Sequence, residues 1–371
     1  MSTPSAVPPA TPSAAHAEAG LSEVGPTPVI AIHGGAGALS RSRMTPEREQ
    51  EYREALAGIV RAGQEVLASG GTAVDAVQRA VTLLEDSPLF NAGHGAVFTS
   101  AATHELDAAI MDGATLNTGA VAGVHTVKSP ITLARAVMEN SDHVLFAGEG
   151  AEAFARDHGL EIVSPDYFST PERRAQLDRA RQRAAGTAVL DHDGEAAAAE
   201  VTTAEATAQP GAGGASGGGE ADSVVDPLDA DTKYGTVGAV ALDAHGNLAA
   251  ATSTGGMTNK QVGRVGDTPV IGAGTYAANA TCAVSATGTG EMFIRMVAAY
   301  DVAARMEYAG ESLEQATRTV VHEKLPTIGG DGGLIAVDAS GNVALPFNTE
   351  GMYRGFGRVG EEPTVGIYRG E

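Results

Sequence analysis

The chain holds one cysteine, Cys282, in 371 residues. A single thiol excludes an intrachain disulfide framework and a multi-cysteine zinc site. Within the apolar run Thr281-Cys282-Ala283-Val284 it reads as a small buried hydrophobe. Basic residues are scarce as well: 24 Lys and Arg against 46 Asp and Glu leave a net charge of −22. That balance argues against phosphate backbones and anionic membranes as partners. No apolar run approaches the ~18–20 residues needed to cross a bilayer. Residues 1–25 are rich in Ala, Pro, Ser and Thr and lack the basic start and apolar centre of a secretory signal. They read as a disordered extension, and the protein as cytoplasmic. Also missing are His-Glu-x-x-His metal spacing, a Gly-x-Ser-x-Gly nucleophile elbow and the Lys-Ser/Thr ending of a phosphate loop.

What is present suffices for a sizeable core. Hydrophobic residues make up 43% of the chain, enough for one large domain or two modest ones. Val29-Ile30-Ala31-Ile32 reads as a strand ended by the tight loop His33-Gly34-Gly35-Ala36-Gly37. Thr45-Pro46-Glu47 marks a helix start with proline at the first helical position, and Gly70-Gly71 stops that helix after Ala68. A second helix begins near Thr72, with Val74, Val77, Val81 and Leu84 on its apolar face. Pro130 to Asn140 and Pro171 to Ala184 are further helical stretches, and Ala109 to Val127 reads as strands with turns. Residues 185–231 show no period that can bury a face and read as an acidic, glycine-rich linker. Thr236 to Leu242 and Leu248 to Thr254 then form a hairpin around Asp243-Ala244-His245-Gly246-Asn247. Gly333 to Val337 and Val343 to Phe347 repeat the pattern around Asp338-Ala339-Ser340-Gly341-Asn342. Between the hairpins lies a helical block from Glu291 to about Lys324. Strands in both halves with helices between them point to sheets covered by helices.

Three threonine clusters flanked by glycine carry the chemistry: Gly235-Thr236, Thr252-Ser253-Thr254-Gly255-Gly256 and Thr287-Gly288-Thr289-Gly290. A cut between Gly235 and Thr236 would give the new chain a hydroxyl nucleophile and its own base, the terminal amine, on one residue. That amine has a pKa of about 7.7–8.0 and can accept the hydroxyl proton near neutrality. The plain alternative is a β-branched residue opening a strand. The hairpin folds Thr254 back beside Thr236, where its hydroxyl can bond the nucleophile or the amine. Thr287-Gly288 lies where a strand runs into a helix, a place where freed N–H groups can hold an oxyanion. Arg264 and Asp267 can grip the carboxylate and ammonium of an amino acid; alone, they read as a solvated ion pair. His33 and His94 are candidate bases with no Ser or Cys motif to serve, and His33 reads as a residue that orients its loop.

These residues, with Leu84-Glu85, Asn91-Ala92-Gly93, Glu105-Leu106-Asp107 and Met111-Asp112-Gly113, resemble the plant-type L-asparaginases, or isoaspartyl peptidases, of the N-terminal-nucleophile hydrolases. The likeness covers residues 28–183 and 233–371. It implies an α+β fold, an αββα sandwich built from two fragments of one precursor. It also implies self-cleavage at Gly235–Thr236 into an α subunit (residues 26–235) and a β subunit (residues 236–371), assembled as a dimer of αβ units. By position, Thr236 corresponds to the nucleophile and Thr254 to its hydroxyl partner. Thr287 and Gly288 correspond to the oxyanion hole, Arg264 and Asp267 to the substrate anchors, Gly290 to the pocket wall and Asn91 to a support. Leu84, Glu85, Ser87, Phe90, Ala92 and His94 resemble a loop that binds structural sodium through backbone carbonyls. No cofactor is implied for catalysis. The implied substrates are small molecules, L-asparagine and β-aspartyl dipeptides; nucleic acid and membrane are not implied. An aspartylglucosaminidase-like hydrolase of glycosyl-asparagine, a taspase-like protease and a non-maturing amino-acid-binding protein are the alternatives.

Overall fold

The computed structural model describes residues 25–37, 39, 41–185 and 235–371. All but the last residue of the expected N-terminal extension and almost all of the expected linker lie outside the described residues. In chain order the elements are β1 (Val29–Gly37), α1 (Pro46–Ala68), α2 (Ala73–Asp86), β2 (Leu106–Asp112), β3 (Thr118–Val124), α3 (Pro130–Asn140), β4 (Leu145–Ala147), α4 (Gly148–Asp157) and α5 (Pro171–Ala185). After residue 235 come β5 (Val237–Leu242), β6 (Leu248–Thr254), β7 (Thr275–Ala277), β8 (Cys282–Gly288), α6 (Gly290–Met296), α7 (Ala298–Ala309), α8 (Leu313–Arg318), β9 (Gly332–Asp338), β10 (Val343–Ala344), β11 (Gly351–Arg358) and β12 (Thr364–Tyr368). Among the described residues no helix is long and apolar enough to cross a membrane.

The helices start where local chemistry satisfies their first N–H groups. Thr45 accepts from the Arg48 N–H, with Pro46 at the first helical position. Thr72 and Asp75 form a reciprocal capping box at α2. The strands make an eight-stranded sheet, β12-β11-β1-β5-β6-β2-β3-β4, and a four-stranded sheet, β10-β9-β8-β7. One apolar cluster joins α1, α2 and α3 to the large sheet. A second joins the small sheet to α6, α7 and α8. A third, with Val29, Ala31, Val240, Leu242, Ala250, Ala283, Ile335 and Val337, lies between the two sheets. The chain is therefore a mixed α+β fold with helices outside two stacked sheets.

Three sequence expectations change. The His33–Gly37 segment does not end β1; the strand runs through it with a bulge between His33 and Ala36 in its pairing with β11. The second hairpin is shorter than expected. β10 stops at Ala344, and Pro346, which has no N–H to give a ladder, follows. The helical block is broken at Val297, in a left-handed conformation (φ 51°, ψ 48°), and again at Gly310. α7 starts afresh there because its Ala299 and Tyr300 N–H groups dock on the carbonyls of Ala273 and Gly272. Cys282 is fully buried, and burial pushes its thiol up to about 12, as a packed hydrophobe requires.

α3 lies so close to β3 that a Cβ on Gly119 would meet the Ala134 carbonyl and the Met138 nitrogen. Gly119→Ala should therefore cost about 1–3 kcal/mol through overpacking against backbone. Gly58→Ala, in an exposed turn of α1 with open space around it, should instead stabilise by about 0.5–1 kcal/mol. Thermal unfolding of the two variants checks the contrast; equal midpoints would show that α3 can move off the sheet.

Candidate active site

Thr236 stands one residue before β5. β5 pairs with β6 so that Val237 faces Ser253, and one further step of this register puts Thr236 opposite Thr254. The Thr236 hydroxyl donates to the Thr254 hydroxyl at 3.2 Å, with both residues buried. Thr254 Oγ1 also accepts from the Gly256 N–H at 2.9 Å. That contact turns the chain off the strand at Gly256, whose φ of 79° favours glycine.

Asn91 closes the other side. Its Nδ2 donates to the Gly256 carbonyl at 2.6 Å, its Oδ1 accepts from the Val97 N–H at 2.9 Å, and its backbone carbonyl accepts from the Gly255 N–H at 3.0 Å. Gly235 packs on the same residue, and a Cβ there would strike Asn91. The loop that carries Asn91 follows α2 and is fixed at both ends: the His94 N–H donates to the Glu85 carbonyl at 2.7 Å. Phe90 wedges against Gly34 and against the stacked rings of Tyr52 and Tyr353. The Glu85 side chain is fully buried and accepts from Ser129 Oγ (2.6 Å), Ser253 Oγ (2.7 Å) and the Ile131 N–H (2.9 Å). Burial pushes this carboxyl up to about 7 against the pull of those donors.

Between the sheets runs a buried polar chain. His33 Nε2 meets Ser285 Oγ at 2.8 Å, Ser285 meets Thr252 at 2.7 Å, and Thr252 meets Thr275 at 2.7 Å. It ties β1, β6, β7 and β8 together two residues short of Thr254 and Thr287. Burial pulls the His33 imidazole down to about 3, with a Thr236 backbone contact acting the other way, so the ring is neutral near pH 7. Its geometry is that of a spacer between sheets. His94 packs edge-on against Tyr167, and its N–H closes the Asn91 loop.

The remaining residues gather around the start of α6. Gly290 has no side chain, and a Cβ there would lie 2.9 Å from Asp267 Oδ1 and 3.0 Å from Arg264 Nη2. Arg264 and Asp267 thus border one space over Gly290. Asp267 is buried, and its Oδ2 has no hydrogen-bond partner among the described residues. Burial pushes its carboxyl up to about 7; its own backbone N–H and Arg264 oppose that rise, while Glu291 and Asp107 add to it. Thr287 Oγ1 is likewise buried with no partner among the described residues. Gly288 must be small, because a Cβ would strike the Asp331 carbonyl and the Phe293 ring.

Several residues that shape the site were given no role by the sequence alone, although Glu105 and Asp107 lie in one of its motifs. Lys260 is buried and donates from Nζ to the carbonyls of Glu105 (3.1 Å) and Arg264 (3.2 Å), with Glu105 Oε2 3.5 Å away. Both Glu105 oxygens accept from the Gly263 N–H at 3.0 Å, so the Arg264 turn is strapped to the start of β2. Asp107, opposite Thr254 across the β2–β6 pairing, is buried and its pKa is raised by desolvation. A lysine four residues before Arg264 is a signal that spacing offers. Nothing in the spacing marks Glu291, which grips Arg264 from 27 residues away.

A family model described as asparaginase matches residues 26–367. The isoaspartyl peptidase of Escherichia coli K12 is 57% identical over 341 residues, covering 92% of this chain and 96% of its own length. That of Salmonella typhimurium is 58% identical over 341 residues, covering 92% and 98%. A protein of Arabidopsis thaliana named probable isoaspartyl peptidase/L-asparaginase 2 is 42% identical over 330 residues, covering 88% and 94%.

Asn91→Ala would leave the Gly256 carbonyl and the Val97 N–H buried without their partners. The expected loss is about 2 kcal/mol or more. An unchanged midpoint in denaturant unfolding would show that this wall stands without Asn91.

Proposed function

The chain belongs to the asparaginase family, and from that footing we propose that it is a self-cleaving amidohydrolase. Its substrates are L-asparagine and β-aspartyl dipeptides, and Thr236 is its nucleophile. The observation that carries the reading is the buried Thr236–Thr254 hydroxyl pair at 3.2 Å, directly after the tightly packed Gly235. In the precursor the Thr236 oxygen attacks the Gly235 carbonyl. The carbon–nitrogen bond breaks, the hydroxyl proton ends on the Thr236 nitrogen, and water opens the resulting ester. Two chains leave this step: an α subunit ending at Gly235 and a β subunit starting at Thr236.

In the mature enzyme the freed Thr236 amine accepts the hydroxyl proton, and Thr254 holds the hydroxyl in line. The oxygen attacks the side-chain carbonyl of the substrate. Thr287 Oγ and the Gly288 N–H donate to the oxyanion, and one such donor is typically worth about 3–4 kcal/mol. The unpartnered, buried Thr287 hydroxyl supports this role. Ammonia or an amino acid leaves with the proton, and water releases L-aspartate from the ester. Arg264 binds the α-carboxylate as a planar fork, and Asp267 binds the α-ammonium through its unpartnered oxygen. Gly290 leaves the room between them, and Asn91 supports the wall behind Thr236.

We read the layers as the αββα sandwich of the N-terminal-nucleophile hydrolases, with two αβ units pairing into a heterotetramer. We propose that a structural sodium ion would be held in the loop after α2 by carbonyls of Leu84, Glu85, Ser87, Phe90, Ala92 and His94, of which those of Glu85 and Ser87 also accept from the His94 and Phe90 N–H groups. The Leu84 carbonyl would look along the helix to residue 88, a proline with no N–H. Among the described residues the carbonyls of Phe90, Ala92 and His94 receive no backbone hydrogen bond. Such an ion would supply a hard, fixed charge beside the Asn91 loop.

Thr236→Ala should remain one chain on a denaturing gel where the parent gives two. A variant that still splits after Gly235 would remove the self-cleavage reading. The ammonium contact needs an ionised Asp267, whose pKa of about 7 means that it takes up a proton as pH falls through neutrality. KM for L-asparagine should therefore rise as pH drops below about 7, separately from the loss of kcat caused by protonating the terminal amine. A KM that stays flat from about pH 5.5 to 8 would show that Asp267 does not carry the ammonium.

A further inference from the structure

The Arg264 guanidinium already has a carboxylate on it. Its Nε donates to Glu291 Oε1 and its Nη2 to Glu291 Oε2, both at 2.8 Å. This is a side-on fork, the two-point geometry in which Arg binds carboxylates best. Arg264 is largely covered, with 17% of its side chain exposed, whereas Glu291 keeps 47%. A half-exposed pair of this kind adds little to stability. Its interest lies in what it does to the guanidinium.

Guanidinium carries five N–H groups in one plane. Glu291 takes two of them, on the Nε/Nη2 edge. The other three, two on Nη1 and one on Nη2, form a second fork at the end of the side chain. Nη2 borders the space over Gly290 that Asp267 Oδ1 also borders. The Lys260–Arg264 carbonyl bond fixes the stem at its backbone, but it leaves the torsions of the side chain free. Glu291 fixes the plane at the other end.

We propose that Glu291 is a positioning residue for substrate recognition: it occupies one edge of Arg264 so that the other edge is presented, already oriented, to the α-carboxylate. The inference rests on the assignment of Arg264 as carboxylate anchor made above. An ordered guanidinium gives up less side-chain freedom when the substrate arrives, so the contribution goes into binding. The reacting carbonyl lies at the Thr236 end of the substrate, and Glu291 has no part in that chemistry.

The test is steady-state kinetics on L-asparagine with fully cleaved Glu291→Ala, Glu291→Gln and Arg264→Ala proteins and the double variant. Glu291→Ala should raise KM about tenfold, equivalent to about 1.4 kcal/mol, with kcat within about twofold and an unchanged thermal midpoint. Glu291→Gln, which keeps one acceptor oxygen, should fall between the two. On the Arg264→Ala background, loss of Glu291 should change KM no further. A lowered KM in Glu291→Ala would overturn the proposal, since Glu291 would then be a carboxylate that competes with substrate. An unchanged KM would overturn it too, as would a rise that persists without Arg264. If Arg264→Ala itself leaves KM untouched, the anchor assignment is what has failed.

Discussion

The arrangement of the site depends on one strand register. β5 and β6 pair antiparallel with Val237 facing Ser253 and Leu242 facing Leu248. Side chains alternate along a strand, so a slip of one residue would turn every one of them to the opposite face. The register is held where slipping is expensive. Ala239, Ala241, Ala249 and Ala251 face the core under the helices, while Val240, Leu242, Leu248 and Ala250 face the layer between the sheets. At the turn, Asp243 Oδ1 accepts from the His245 and Asn247 N–H groups, and Asp243 Oδ2 caps the start of α2 at Ala73. One aspartate thus fixes the hairpin and docks it to a helix. The Thr236–Thr254 contact at the far end follows from packing set along the hairpin's length.

Around that hairpin the fold keeps several polar and charged groups buried. Burying a charge or a polar group is costly unless it is paired. Glu85 is supplied with three donors, and Lys260 with two carbonyls and a carboxylate. The His33–Ser285–Thr252–Thr275 chain is satisfied within itself on the Nε2 side of the imidazole. Several buried polar atoms nevertheless lack hydrogen-bond partners among the described residues, His33 Nδ1 and Asp107 Oδ2 among them, and two of them have a role in the proposed chemistry. Asp267 Oδ2 and Thr287 Oγ1 are buried without partners among the described residues. An unsatisfied buried group is a standing cost that a ligand can remove. One is an acceptor and the other a hydroxyl able to donate, which suits the ammonium and the oxyanion of the proposed reaction.

Much of this was legible in the sequence because the signals are local. Thr45-Pro46 and Thr72 start α1 and α2 where side-chain capping demands, and Gly70 in a left-handed conformation separates them. The 18-residue spacing from Thr236 to Thr254 follows from two strands and a five-residue turn, so their meeting could be derived before any coordinates. The misreadings come from tertiary contacts. His33-Gly34-Gly35 has the composition of a loop, yet pairing with β11 and β5 on both sides draws it into a strand. Val297 is a poor residue for a left-handed turn, and nothing in its neighbourhood announces that Gly272 and Ala273 will cap α7. Glu291 pairs with Arg264 only because β8 delivers α6 beside the 261–267 turn.

Specificity under the proposed reading then follows from the same imbalance. Arg264 has its permanent partner, so a substrate lacking the α-carboxylate would leave an oriented but charge-balanced fork behind. Asp267 has no such partner. A substrate without a free α-ammonium would bury Asp267 Oδ2 with nothing to bond, and a polar group left unpaired in a site built for it is penalised far more than a missing apolar contact. The two anchors therefore contribute unequally: the acidic one discriminates more strongly, and its raised pKa makes that discrimination depend on pH. Under that reading, recognition of the amine end, rather than the carboxylate end, is where the pocket would be strictest.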